Sequence, residues 1–169
     1  MKSLKGYWRL AFPLLCLWIF MVRPATSLLE ERFIAFSDSD GSIPIHSAVI
    51  IHDSQDPAGV RIAADSLVND FEQITGSRPK NATWDTDSGP LGNGTAIIIG
   101  TVESDLIKAI VENGKLEVDD IDGKWETFKT SVVSEPLSGV KEALVIAGSD
   151  MRGTAFGVYT LADQAGQSP

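Results

Sequence analysis

The sequence predicts an α/β fold, a single layered domain whose mixed, largely parallel sheet is flanked by about three helices. Three observations predict it. Val49-Ile50-Ile51, Ala96-Ile97-Ile98-Ile99 and Leu144-Val145-Ile146 are unbroken apolar runs, expected of strands covered on both faces. Each run is followed, after a short polar turn, by a stretch with helical apolar spacing. Strand and helix therefore alternate three times, an order satisfied by strands that return parallel through a helix.

Residues 1–27 stand outside this fold. A basic segment (1–9) precedes an apolar one (10–22, LAFPLLCLWIFMV), and Ala25-Thr26-Ser27 supplies small residues for cleavage, so the stretch reads as a signal peptide cut near Ser27. A membrane anchor is the competing reading, but these apolar residues are interrupted by Pro13 and fall short of the roughly twenty that a span needs.

In residues 28–169, the segments 32–37 and 42–51 predict two or three strands around the acidic turn Asp38-Ser39-Asp40-Gly41, with Pro44 marking an edge or bend. Asp56-Pro57 reads as a cap residue followed by proline at the first helical position. In the helix after it, Val60, Ala63, Ala64, Leu67, Val68, Phe71 and Ile74 share a face. Arg61, Asp65, Asp70 and Glu72 point away, and Gly76 ends the helix. A strand around 80–84 and a loop to 94 follow. The strand 96–100 leads into a helix over 104–112, with Leu106, Ile107, Ile110 and Val111 inward and a stop at Asn113-Gly114. Residues 125–133 alternate as a sheet strand, and 134–140, with Pro136 and Gly139, turn. The strand 143–147, the Gly148-Ser149-Asp150 turn and a helix over about 152–165 complete the pattern. Asp150 is placed to cap that helix, Ala155, Val158, Leu161, Ala162 and Ala165 form its inner face, and Gly166 is its stop.

The formal charge of −9 understates the acidity of the mature chain. Residues 1–27 hold Lys2, Lys5, Arg9 and Arg23 and no acid, so their removal leaves 10 basic against 23 acidic residues, a net −13. A chain this acidic, with no basic run, argues against nucleic acid and against an anionic membrane surface as partners. It fits a secreted, extracellular protein. So do two N-x-[ST] acceptors, Asn81-Ala82-Thr83 and Asn93-Gly94-Thr95, which make Asn81 and Asn93 the expected glycosylation sites. The single cysteine, Cys16, lies in the leader, leaving the mature chain no internal disulfide.

Several groupings imitate functional motifs. With Gly123 at the sixth position of a calcium loop, Val118 and Lys129 occupy positions that need acids; around Gly41 the same test places Phe36 and Ser47 there. Both are solvated acidic turns. The turn Gly100–Ser104 follows a strand and opens a helix, as anion sites do, but lacks P-loop and dinucleotide glycine spacing. His46 and His52 have no cysteine or helical partner for zinc. No G-x-S-x-G elbow supports a serine hydrolase. Trp84 and Trp125 read as strand residues in the core, with a sugar-stacking platform as the alternative. Of the acids Asp53, Asp56, Asp85, Asp87, Glu103, Glu126 and Asp150, none pairs with another by spacing as glycoside hydrolysis requires.

The segment 148–169 (GSDMRGTAFGVYTLADQAGQSP) resembles the motif closing the N-terminal domain of glycoside hydrolase family 115, the xylan α-1,2-glucuronidases. The resemblance extends to 48–76, 96–104 and 122–128, in the same order. It implies that 28–169 is the N-terminal α/β accessory domain of a secreted glucuronidase-like enzyme, without the aromatic-rich link and the catalytic (β/α)8 barrel. The implied partner is the barrel of the same parent chain and, through the parent enzyme, glucuronoxylan, from which glucuronic acid is hydrolysed without a cofactor. No catalytic, cofactor-binding or metal residue is carried over. Asp150 and Arg152 are the expected domain-docking or cleft-rim residues. A free-standing secreted carbohydrate-binding or interaction module is the alternative, favoured by an exposed tryptophan beside a groove. An enzyme in its own right would need a pocket with converging carboxylates and a displaced pKa.

Overall fold

A computed structural model describes residues 44–45, 47–87 and 94–166. The predicted strand at 32–37, His46, Asn93 and the acidic turn at 38–41 lie outside the described residues. Five strands and three helices follow in the order β1 (Val49–Asp53), α1 (Ala58–Thr75), β2 (Asn81–Trp84), β3 (Gly94–Thr101), α2 (Asp105–Glu112), β4 (Phe128–Ser134), β5 (Val140–Gly148) and α3 (Met151–Gly166). They form one sheet ordered β2-β1-β3-β5-β4, parallel throughout except for β4, which runs antiparallel to β5.

The apolar runs are explained by what covers them. Ile50, Ile97, Ile99, Leu144 and Ile146 meet Val60, Ala64, Leu67 and Phe71 of α1 and Val158, Leu161 and Ala165 of α3. Their neighbours Ile51, Ala96, Ile98, Ala143, Val145 and Ala147 meet Leu106, Ile107 and Ile110 of α2, together with Leu116 and Ile121 from the following loop. Alternate side chains thus enter two different cores, and neither face can be polar.

The helices begin and end largely as their residues dictate. Gly76 closes α1 at φ 72, its N–H bonded to the Glu72 carbonyl, and α2 stops at Asn113 with Gly114 at φ 66. Three expectations are corrected. Ile74, in the last turn of α1, is exposed. Gly166 lies within α3. Residue 125 precedes β4, which starts at Phe128.

Glycines set how closely α3 approaches the sheet. A Cβ on Gly148 would stand 2.2 Å from the Thr154 nitrogen, and one on Gly153 2.2 Å from the Thr127 carbonyl oxygen. One on Gly157 would meet Ile146 Cγ2 at 2.6 Å and the Phe128 ring at 2.9 Å. The spacing G-x-x-x-x-G-x-x-x-G in 148–157 is therefore a packing seam.

Candidate functional site

The chain leaves β1 through α1 towards β2 and leaves β3 through α2 towards β4, at the far edge beyond β5, in opposite directions along the sheet. Where the connections of two adjacent parallel strands part in this way, a crevice opens at the strands' carboxyl ends, the usual ligand position in open α/β sheets. A cleft of about 340 Å³ lies there. The loops after β1, β3 and β5 line it with Asp56, Thr101, Glu103, Ser104, Asp105, Ser149, Asp150 and Met151 among others, and no basic side chain is part of the lining.

The acids around this cleft are engaged with the chain itself. Asp53, buried at the end of β1, accepts from the Gln55 amide at 2.8 Å and from the Leu106 amide, in the first turn of α2, at 2.9 Å. Ser104 caps the same helix, accepting from the Ile107 amide at 3.2 Å and donating to the Thr101 carbonyl at 2.8 Å. Asp56 does not cap α1. Pro57 is the N-cap and supplies no side-chain bond. The Asp56 carboxylate turns instead to β3, accepting from Thr101 Oγ1 at 2.6 Å and more weakly from its amide at 3.2 Å. Burial pushes the Asp56 carboxyl above its ordinary value; the Thr101 hydrogen bonds oppose the shift, and nearby Asp53 adds to it.

Asp150 is the cap that the sequence predicts. It accepts from the Gly153 amide at 2.7 Å and, with its other oxygen, from the Glu126 amide at 2.9 Å. These two N–H groups, the first more than the second, hold its carboxyl below the usual range. Ser149 completes the lock: its hydroxyl accepts from the Thr127 amide and donates to the Thr127 carbonyl, both at 3.0 Å. Arg152 pairs with Glu126 at 2.9 Å. The structure thus brings Asp150 and Arg152 together on the 125–127 segment.

The other candidates separate. Asn81 stands exposed at the start of β2, its amide donating to Asp65 at 2.8 Å. Glu103 pairs with Lys108 on the surface at 3.1 Å. Trp84 packs partly buried against the second core. Trp125 is 78% exposed, in the loop whose next residue bonds a wall of the cleft. The expectation of a core tryptophan fails there because residue 125 is not in the sheet. His52 is buried, with Nδ1 3.2 Å from the Asp53 carbonyl. Among the described residues, no three His, Cys, Asp or Glu side chains gather as a metal site would require. Sequence reasoning missed the Asp56–Thr101 bond; the buried-strand run ending at Thr101 was its only signal.

The fold and this site define an α/β domain whose carboxylates in and beside the cleft fasten loops to the starts of α2 and α3 and to the end of β3. Neither a protein-family model nor a curated protein matches the chain. A solved structure does: a family GH115 4-O-methyl-alpha-glucuronidase with specificity for decorated arabinogalactans, 28% identical, with a TM-score of 0.52. The match covers 73% of this chain and 14% of that one. The fold is thus related to part of a GH115 glucuronidase, and this chain spans a small fraction of that protein's length.

Proposed function

We propose that residues 28–169 are the non-catalytic N-terminal accessory domain of a secreted glucuronidase of this kind, packing on and supporting a catalytic barrel that removes glucuronic acid from glucuronoxylan. The observation that carries the reading is one of scale: a domain-sized match accounts for 73% of this chain and for 14% of the glucuronidase. The site agrees with it. Asp53, Asp56 and Asp150 each accept two hydrogen bonds from protein donors, which suits anchoring better than proton transfer to a substrate.

The docking surface in this reading is the outer face of α3. Phe156 and Tyr159 are exposed there, about 60° apart at 100° per residue, and exposed aromatic side chains of this kind suit a protein partner. The chain alone, offered glucuronoxylan or a glucuronidated arabinogalactan, is expected to release no uronic acid; turnover would overturn the proposal. Added to a family-115 catalytic segment lacking the matching portion, it is expected to raise that segment's thermal midpoint. Phe156→Ser with Tyr159→Ser is expected to abolish the rise.

One observation favours the second reading, a carbohydrate-binding module. Exposed Trp125 stands beside an acidic cleft, and an indole face with carboxylates suits neutral sugar rings. Saturable quenching of tryptophan fluorescence by xylan oligosaccharides, lost in Trp125→Ala, would favour it.

A further inference from the structure

Asn81 and Thr83 lie two residues apart on β2, so their side chains share one face of the strand, and both are exposed. Ala82 and Trp84 turn the other way, into the second core. β2 is the outermost strand of the sheet among the described residues. The Asn81 amide Nδ2 donates at 2.8 Å to Asp65, on the exposed side of α1. The two groups that an N-x-[ST] acceptor must present are thus both outward, on the flank formed by α1 and β2.

We propose that Asn81 carries an N-linked glycan and that the α1–β2 flank it covers stays in solvent in the assembled protein. The inference rests on the reading of export above. In the transfer, Nδ2 forms a bond to the anomeric carbon of an oligosaccharide carried on a lipid diphosphate. The bond from that carbon to the diphosphate oxygen breaks, the lipid diphosphate leaves with the electron pair, and the amide gives up one of its two protons. The other N–H remains, so the bond to Asp65 survives modification and holds the glycosylated amide against α1. A hydrated oligosaccharide on this flank is incompatible with burying it under a further domain. β1 and β3 separate β2 from β5, the strand that leads into α3, so the glycan leaves the proposed docking face clear.

The test expresses the full chain in a eukaryotic secretory host, once with its own leader and once with residues 1–27 replaced by a host leader. The secreted protein is treated with an endoglycosidase that leaves one N-acetylglucosamine, and the peptide containing Asn81 is weighed. The expected result is the remnant on Asn81 in most copies, absent in Thr83→Val, which spares the amide and its bond to Asp65. Unmodified Asn81 in secreted chains overturns the proposal. Secretion with the host leader alone would defeat the export reading while the Asn81 peptide still decides this one. With the catalytic segment bound, the glycan is expected to be trimmed as fast as on the free chain. Several-fold protection would overturn the claim that the flank stays in solvent.

Discussion

Replacing Gly153 with alanine tests whether the start of α3 is locked to the 125–127 segment. The added Cβ would stand 2.2 Å from the Thr127 carbonyl oxygen, and bringing that contact to even 3.0 Å requires a separation of about 0.8 Å. The opposing atom is backbone, with no rotamer by which to escape. The displacement falls on the Ser149 amide bond to the Thr127 carbonyl at 2.8 Å, the two Ser149 hydroxyl bonds at 3.0 Å and the Glu126 amide bond to Asp150 at 2.9 Å. Losing two of these at about 1 kcal/mol each, with overpacking strain of about 1–3 kcal/mol, outweighs the roughly 1 kcal/mol that alanine gains over glycine inside a helix. The net expectation is a destabilisation of about 2–4 kcal/mol. Urea unfolding followed by tryptophan fluorescence should show a lower midpoint at unchanged slope. Gly166→Ala is the control: its Cβ meets nothing within 4 Å, and a change within about 0.5 kcal/mol is expected. Equal stability of the Gly153→Ala and Gly166→Ala proteins would refute the seam.

Further expectations concern single groups. Asp150→Ala should cost about 1–2 kcal/mol at neutral pH. Because its folded pKa lies below the ordinary 3.8, its contribution is present above that value and lost as pH falls through the folded one, so the two unfolding curves should converge in acid. Asp56 has the opposite sign. Its raised folded pKa gives a contribution present below 3.8 and lost as pH rises through the folded value, so the wild type should gain stability relative to Asp56→Asn on acidification. Thr154→Val removes a buried hydroxyl that donates to the Asp150 carbonyl at 2.9 Å and should cost about 1 kcal/mol by thermal or urea unfolding. Phe156→Ser with Tyr159→Ser should leave the isolated chain's stability within about 1 kcal/mol by the same measurement, since both are surface residues.

Much of the fold was legible because burial on both faces leaves a simple mark. Three apolar runs and three amphipathic stretches are enough to place β1, β3, β5 and the helices, and Gly76 and Asp150 mark their ends by local chemistry alone. What escaped depends on contacts distant in sequence. Asp56 beside Pro57 has the appearance of a cap, yet its partner Thr101 is 45 residues away. Trp125 belongs to an alternating stretch, yet β4 begins at Phe128, after a backbone at positive φ at Glu126 and the bonds from Asp150 and Ser149. The cleft was invisible for the same reason: three loops distant in sequence build it, and only sheet order brings them together.

The geometry also explains why a crevice in the usual ligand position need not be a reaction site. Helices that start at the strand ends leave amides without intrahelical partners, and a carboxylate is well suited to meet them. In this chain the Asp53 carboxylate meets the start of α2, and Asp150 that of α3. Each spends its second oxygen on a neighbouring loop, Asp53 on Gln55 and Asp150 on Glu126. A carboxylate held this way is a strut: it gains its stabilisation from remaining ionised and in place, whereas a general acid must give up its proton to a substrate. Asp56 has the raised pKa that acid catalysis would need, yet both of its oxygens already accept from Thr101, joining the loop after β1 to the end of β3. The switch-point acids therefore brace the α2, α3 and β3 ends of the domain, as the proposed supporting role would require.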